Sequence, residues 1–138
     1  TSKRDKTEKL LIDFAIEKNI PIFGVCRGMQ VLNKFFGGTQ EILNNNNHIG
    51  NNHSVKINNE SFSKLINSTN ILVNSYHKNI ITINSLAEIL IPFAFSDIDD
   101  TVEAFVHPEL PIIGVMWHPE REQKLFDEKI VESIFKNK

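Results

Sequence analysis

The chain has 138 residues, 41% of them hydrophobic and 23% charged, with 15 Lys and Arg against 17 Asp and Glu and a formal net charge of −2. That content suits a single folded domain over residues 1–138, and no apolar run reaches the roughly 20 residues that a membrane-spanning helix needs. The charge balance lacks the basic excess that tracking a nucleic-acid backbone requires, so neither nucleic acid nor membrane is expected as a partner.

Residues 5–19 are predicted to form an amphipathic helix that covers a sheet with Leu10, Leu11, Phe14 and Ala15, leaving Lys6, Glu8, Lys9, Asp13 and Glu17 mostly off that face. Ile20-Pro21-Ile22-Phe23-Gly24-Val25 then suits a buried strand, and Gly28 with Met29-Gln30-Val31-Leu32-Asn33-Lys34-Phe35-Phe36 suits the first turns of a helix beside it. Cys26, the only cysteine, therefore falls at a strand-to-helix turn. Gly24 and Gly28 flank it at two residues on either side, removing Cβ atoms that would crowd a sharp bend, as in the Gly-x-Ser-x-Gly elbow. The positive end of the helix dipole favours a thiolate at that position. An isolated cysteine more often just fills core space. The elbow setting and a candidate base downstream reverse that expectation. A lone thiol forms no internal disulfide and keeps best in a reducing compartment, so a cytoplasmic location is expected.

Gly37-Gly38 is expected to stop the helix, and residues 41–53 read as a polar loop with six asparagines and two histidines. His48 and His53 lack the cysteine or carboxylate companions of a metal site; a solvated loop is expected, with no metal and no cofactor. The sixteen asparagines of the chain count here as compositional bias. Short strands are predicted at Ser54-Val55-Lys56-Ile57, Ile71-Leu72-Val73-Asn74, Pro92-Phe93-Ala94-Phe95-Ser96, Thr101-Val102-Glu103-Ala104-Phe105-Val106 and Ile112-Ile113-Gly114-Val115-Met116. A short helix fits Phe62-Ser63-Lys64-Leu65-Ile66, a hairpin turn fits residues 96–101, and a final helix fits 122–138 through Leu125, Phe126, Ile130, Val131 and Ile134.

The last strand runs into Trp117-His118-Pro119-Glu120. Pro119 biases His118 towards an extended conformation, and residues two apart on an extended chain point to the same side. His118 and Glu120 are thus expected side by side, the carboxylate holding one imidazole tautomer while the other ring nitrogen faces the Cys26 sulfur. His107-Pro108-Glu109 imitates this tripeptide, but it precedes Leu110-Pro111 in the turn before the last strand and is given no chemistry.

Together, Gly24-Val25-Cys26-Arg27-Gly28-Met29-Gln30, Gly37-Gly38-Thr39, Asn74-Ser75-Tyr76-His77 and Gly114-Val115-Met116-Trp117-His118-Pro119-Glu120 resemble the class I glutamine amidotransferase superfamily, most of all its gamma-glutamyl hydrolase branch, peptidase family C26. The resemblance covers residues 5–138. It implies a flavodoxin-like α/β fold, with a mostly parallel central sheet flanked by helices. It implies Cys26 as nucleophile, His118 as general base and then acid, and Glu120 as third member of the triad. Gln30 matches the position that helps hold the glutamyl group, Ser75, Tyr76 and His77 match a segment lining the same pocket, and the backbone N–H of Arg27 is one oxyanion donor. The implied reaction is hydrolysis of a gamma-glutamyl amide through a thioester. The leaving group is an amine or a nucleotide phosphoramidate of the kind met in bacterial capsule pathways. The alternative is a glutaminase subunit passing ammonia to a partner synthase; a homo-oligomer is also compatible. Related enzymes carry strands, a helix and a second oxyanion donor before the point that matches Thr1, so these residues are expected to be part of a longer chain or to be completed by a segment supplied separately.

Overall fold

A computed structural model describes residues 2–42, 52–75, 79–119 and 124–136. In chain order the elements are α1 (Ser2–Glu17), β1 (Ile22–Val25), α2 (Arg27–Phe35), β2 (Glu41–Ile42), β3 (His53–Ile57), α3 (Glu60–Ile66), β4 (Asn70–Val73), β5 (Asn79–Ile80), β6 (Ile91–Ser96), β7 (Val102–Val106), β8 (Ile112–Val115) and α4 (Leu125–Lys136). Among the described residues, six strands form one sheet in the order β1-β8-β7-β6-β3-β4, and β2 pairs with β5 in a separate short ladder that the sequence pattern does not announce.

The expected α/β sheet flanked by helices is present, but it is mixed where the resemblance implied mostly parallel pairing. Among the described residues only β1 and β8 run parallel, in the register Val25 opposite Val115. The pairs β7–β8, β6–β7, β3–β6 and β3–β4 are antiparallel. For β6 and β7 the reason is loop length: they are joined across residues 97–101, with Asp100 in the left-handed region at φ 56, too short a connection for the crossover that parallel strands need. Following these pairings across the sheet, β1, β8, β6 and β4 point one way and β7 and β3 the other. The carboxyl ends of β1, β8 and β4 therefore share one end of the sheet.

Two apolar clusters fill the two faces. On one, α3 and α4 pack Ile66, Ile130 and Ile134 onto Val55, Ala94, Ala104, Ile113 and Val115; on the other, α2 packs Met29 and Leu32 onto Phe105, Ile112 and Met116. Adjacent residues of β8 alternate between the clusters, so this strand is buried on both sides. Phe62 and Phe93 stack at 3.9 Å between ring centroids, and Phe93 and Phe105 are fully buried, each contributing about 1.5–3 kcal/mol of hydrophobic stabilisation. The strand β1, at the edge of the sheet among the described residues, is half-buried rather than buried.

Three further expectations change. In α1 the buried residues are Ile12 and Ala15, while Leu10, Leu11 and Phe14 are 69%, 62% and 53% exposed. Ile12 joins the cluster of α2, so the packing partner selects a different arc from the one with most apolar residues. The second correction is His53, which is buried at the start of β3, with its Nε2 3.1 Å from Glu103 Oε1, and is no part of a solvated loop. His48 lies outside the described residues. Third, the asparagines counted as compositional bias include Asn33, which is buried and serves as a junction. Its carboxamide accepts from the Ala87 N–H at 2.7 Å and donates to the carbonyls of Thr39 and Ser85 at 2.9 and 3.1 Å, which fastens α2 to the following turns. No helix among the described residues is long and apolar enough to cross a membrane.

His107 is in a turn, as expected. Its Nδ1 accepts the backbone N–H groups of Glu109 and Leu110, both at 3.0 Å, and its ring lies against Phe36. Burial lowers its pKa from 6.5, and the nearby Glu109 carboxylate raises it in part. A lowered folded-state pKa means that the neutral ring stabilises the fold: the contribution is fully present above pH 6.5 and lost as pH falls through the folded value. Urea unfolding at a series of pH values is expected to show stability declining on acidification. The decline should be smaller in His107→Asn, whose side-chain oxygen can accept the same N–H groups without titrating. An equal decline in both proteins would exclude His107 as the cause.

Candidate active site

The strand β1 ends at Val25 and α2 begins at Arg27, so Cys26 alone makes the bend between them. Its backbone is at φ 52 and ψ −103, a left-handed conformation that costs a non-glycine residue on the order of 1–3 kcal/mol. Backbone hydrogen bonds on both sides hold it there. The Cys26 N–H donates to the Val115 carbonyl at 2.8 Å, extending the β1–β8 ladder, and the Cys26 carbonyl accepts from the Gln30 N–H at 3.1 Å, starting α2. The thiol thus stands at the N-terminus of a helix, where the dipole favours its charged form.

The two flanking glycines are not equivalent. A Cβ at Gly24 would come within 2.6 Å of Leu32 Cδ1 and 2.9 Å of the Gly28 backbone, whereas a Cβ at Gly28 would meet nothing within 4 Å. The bend needs Gly24 bare because α2 folds back onto it, and the expectation that both glycines relieve crowding is corrected for Gly28. Accordingly, Gly24→Ala is expected to lower stability by about 1–3 kcal/mol through overpacking. Gly28→Ala, within a helix, should be neutral or stabilising by up to about 1 kcal/mol. Chemical denaturation of the two variants checks the contrast, and equal effects would refute it.

His118 lies three residues beyond β8, the neighbour of β1 at a spacing of about 4.8 Å, so the thiol and the imidazole issue from adjacent parallel strands at the same end of the sheet. The imidazole residue is half-buried. Its backbone is held by Asn74, just after β4: Asn74 Oδ1 accepts the His118 N–H at 2.7 Å, and Asn74 Nδ2 donates to the His118 carbonyl at 2.8 Å. The preceding residue, Trp117, is buried and donates its indole N–H to Asp127 Oδ1 at 2.8 Å. Burial raises the pKa of Asp127, with hydrogen bonds from Trp117 and the Lys124 N–H and the nearby Lys124 charge lowering it in part. That carboxylate also accepts the Lys124 N–H at 3.0 Å just before α4, so the strand end is anchored to the helix that covers it.

The remaining predicted residues divide. Ser75 is fully buried beside Asn74. Gln30 donates its side-chain amide to the Asn79 carbonyl at 3.2 Å and approaches Met116 Sδ at 3.8 Å, which places it on the Cys26 side of β8. The Arg27 guanidinium is held by α1, 2.7 Å from Glu8 Oε1 and 3.9 Å from Asp5 Oδ1. Arg27 and Gln30 both line a cleft of about 520 Å³ between α1, α2 and residues 38–40, and Cys26 is not among its lining residues. Glu120, Tyr76 and His77 lie outside the described residues. Sequence reasoning quoted Asn74 within a motif but missed its clamp on His118, and nothing in a single asparagine beside a strand signals such a contact.

A family model described as peptidase C26 matches residues 1–120. The chain is 36% identical over 135 residues to the gamma-glutamyl-CDP-amidate hydrolase of Campylobacter jejuni, covering 98% of this chain and 60% of that protein. It is 27% identical over 124 residues to one component of the glutamine-hydrolysing GMP synthase of Methanococcus vannielii, covering 90% of this chain and 63% of that one. The crystal structure of a glutamine amidotransferase from Thermotoga maritima superposes with a TM-score of 0.69 at 22% identity, over 96% of this chain and 54% of its own. The chain thus spans about 60% of the length of the curated relatives it matches.

Proposed function

Since the chain belongs to the peptidase C26 family, we propose that it carries the nucleophile and base of a cysteine-dependent gamma-glutamyl amide hydrolase. The observation that carries this reading is the strained backbone of Cys26, a non-glycine residue at φ 52 between a strand and a helix, beside the strand that leads to His118. Such strain persists only where the surrounding structure holds it, and in a residue that is neither Gly, Asn nor Asp it gathers at sites that present a reacting group. In the proposed sequence His118 takes the thiol proton and the sulfur attacks the gamma-carbonyl carbon. The oxyanion is met by the Arg27 N–H, which at the first position of α2 has no intrahelical acceptor. The C–N bond breaks as His118 returns the proton to the departing nitrogen, leaving a thioester. Water, deprotonated by the same imidazole, then splits the thioester into glutamate and free thiol. By the resemblance, Glu120 is assigned the orientation of the imidazole, and Gln30, Ser75, Tyr76 and His77 the recognition of the glutamyl group. The chemistry suits the reducing cytoplasm.

A nucleotide-linked phosphoramidate is the favoured leaving group, supported by the 36% identity to the gamma-glutamyl-CDP-amidate hydrolase. A second reading, delivery of ammonia from glutamine to a partner synthase, draws support from the similarity to a component of a glutamine-hydrolysing GMP synthase. Glutamate release by the full-length protein from gamma-glutamyl nucleotide amidates, simple gamma-glutamyl amines and glutamine tests both. Release from the amidate by the protein alone is the expected result. Release from glutamine only in the presence of a synthase would favour the second reading, and no release from any gamma-glutamyl compound would sink both.

A further inference from the structure

We propose that Asn74 is a positioning residue for the base, its carboxamide setting the direction of the His118 side chain; this rests on the reading of His118 as the base of Cys26. The planar amide engages both backbone groups of one residue, the N–H at 2.7 Å and the carbonyl at 2.8 Å, as a neighbouring strand would. Fixing both groups leaves the peptide units around His118 little freedom to rotate, and the Cα–Cβ vector of the imidazole follows from them. The clamp is shielded from water, Asn74 being 5% exposed, so no solvent molecule replaces it without cost. It arrives from β4, at the opposite edge of the sheet from β1, across a sequence separation of 44 residues. On the other side, the Trp117 indole bond to Asp127 holds the preceding residue to α4. His118 is thus gripped between two parts of the fold that are independent of the thiol. Asn74 uses both polar atoms of its side chain on the backbone of His118, and so acts through that residue.

General-base catalysis needs the imidazole nitrogen within hydrogen-bond reach of the sulfur, and a displacement near 1 Å can cost on the order of 100-fold in rate. Asn74→Ala in the full-length protein is therefore expected to lower kcat for glutamate release by about 10- to 100-fold while KM stays within about twofold. The same variant should raise the pH at which Cys26 is alkylated by iodoacetamide, because a misplaced imidazole no longer stabilises the thiolate. Asn74→Asp supplies a second measurement. A protonated carboxyl reproduces both hydrogen bonds and an ionised one cannot donate to the His118 carbonyl, so its activity relative to wild type should recover on acidification. Circular dichroism establishes that each variant is folded, and Asn74→Asp decides alone if Asn74→Ala does not fold. Wild-type kcat and alkylation profile in a folded Asn74 variant, with His118→Ala shifting the profile, would overturn the positioning role and leave the base in place. An alkylation profile unmoved by His118→Ala would overturn the base, and this proposal with it.

Discussion

Cys26→Ser in the full-length protein is expected to reduce glutamate release by on the order of 10⁴-fold or more while leaving the fold unchanged. Oxygen for sulfur is close to isosteric, and the bonds that hold the elbow, Cys26 N–H to the Val115 carbonyl and Gln30 N–H to the Cys26 carbonyl, are backbone bonds that serine keeps. The left-handed backbone at φ 52 makes the same demand on either residue. What changes is the acid strength. A thiol is intrinsically far more acidic than an alcohol and the positive end of a helix favours its thiolate, whereas a serine hydroxyl must give up its proton within the transition state to a base placed for a larger atom. Turnover measured with the preferred amide, alongside a thermal melt, gives the answer. Near-normal turnover in a serine variant of unchanged stability would remove Cys26 from the nucleophile position.

His118→Ala is expected to cost about 10²- to 10⁴-fold or more in the acylation rate, and Glu120→Gln distinctly less. In the proposed mechanism the imidazole moves the proton in both halves of the reaction. In the same proposal the Glu120 carboxylate only orients the ring and stabilises its charged form, while Asn74 holds the backbone of His118 independently of it. Residual activity in Glu120→Gln is therefore expected even where His118→Ala shows none. Single-turnover measurement of the acyl-enzyme separates the two, and an unaltered acylation rate in His118→Ala would exclude it as the base.

What could be read locally was the unit around the thiol. An apolar run ending in Gly24-Val25-Cys26 and followed at once by a helix pattern implies a bend at residue 26, because strand and helix patterns each depend on a few consecutive residues. The same holds for β8, whose unbroken run of apolar residues matches a strand buried on both faces, and for His107, whose proline-rich surroundings announced a turn. The bend itself conceals a difference that spacing does not reveal. Gly24 and Gly28 are symmetric about Cys26 in the sequence, yet only Gly24 faces the returning helix.

Composition misled where one residue type serves two ends. Asparagine suits a solvated loop and a buried backbone clamp equally well, since its amide can satisfy either water or two peptide groups. Asn33 and Asn74 are clamps, and their partners lie 54 and 44 residues away. The apolar residues of α1 likewise described two possible arcs: contact with the cluster of α2 chose Ile12, and Ala15 is buried too, while Leu10, Leu11 and Phe14 are exposed.

Short-range periodicity and turn chemistry were enough for the strand–Cys26–helix unit, the placement of His118 beyond an apolar strand and the flanking of a sheet by helices. Tertiary packing was needed to show that β1 and β8 are parallel neighbours, that the other four pairings of their sheet are antiparallel, that His53 is buried against Glu103, and that Asn74 reaches His118 from the opposite edge. The physical reason is that alternation along a strand states which side chains share a face but not which strand lies alongside. That choice is made by the lengths of the connections and by the burial of both sheet faces together.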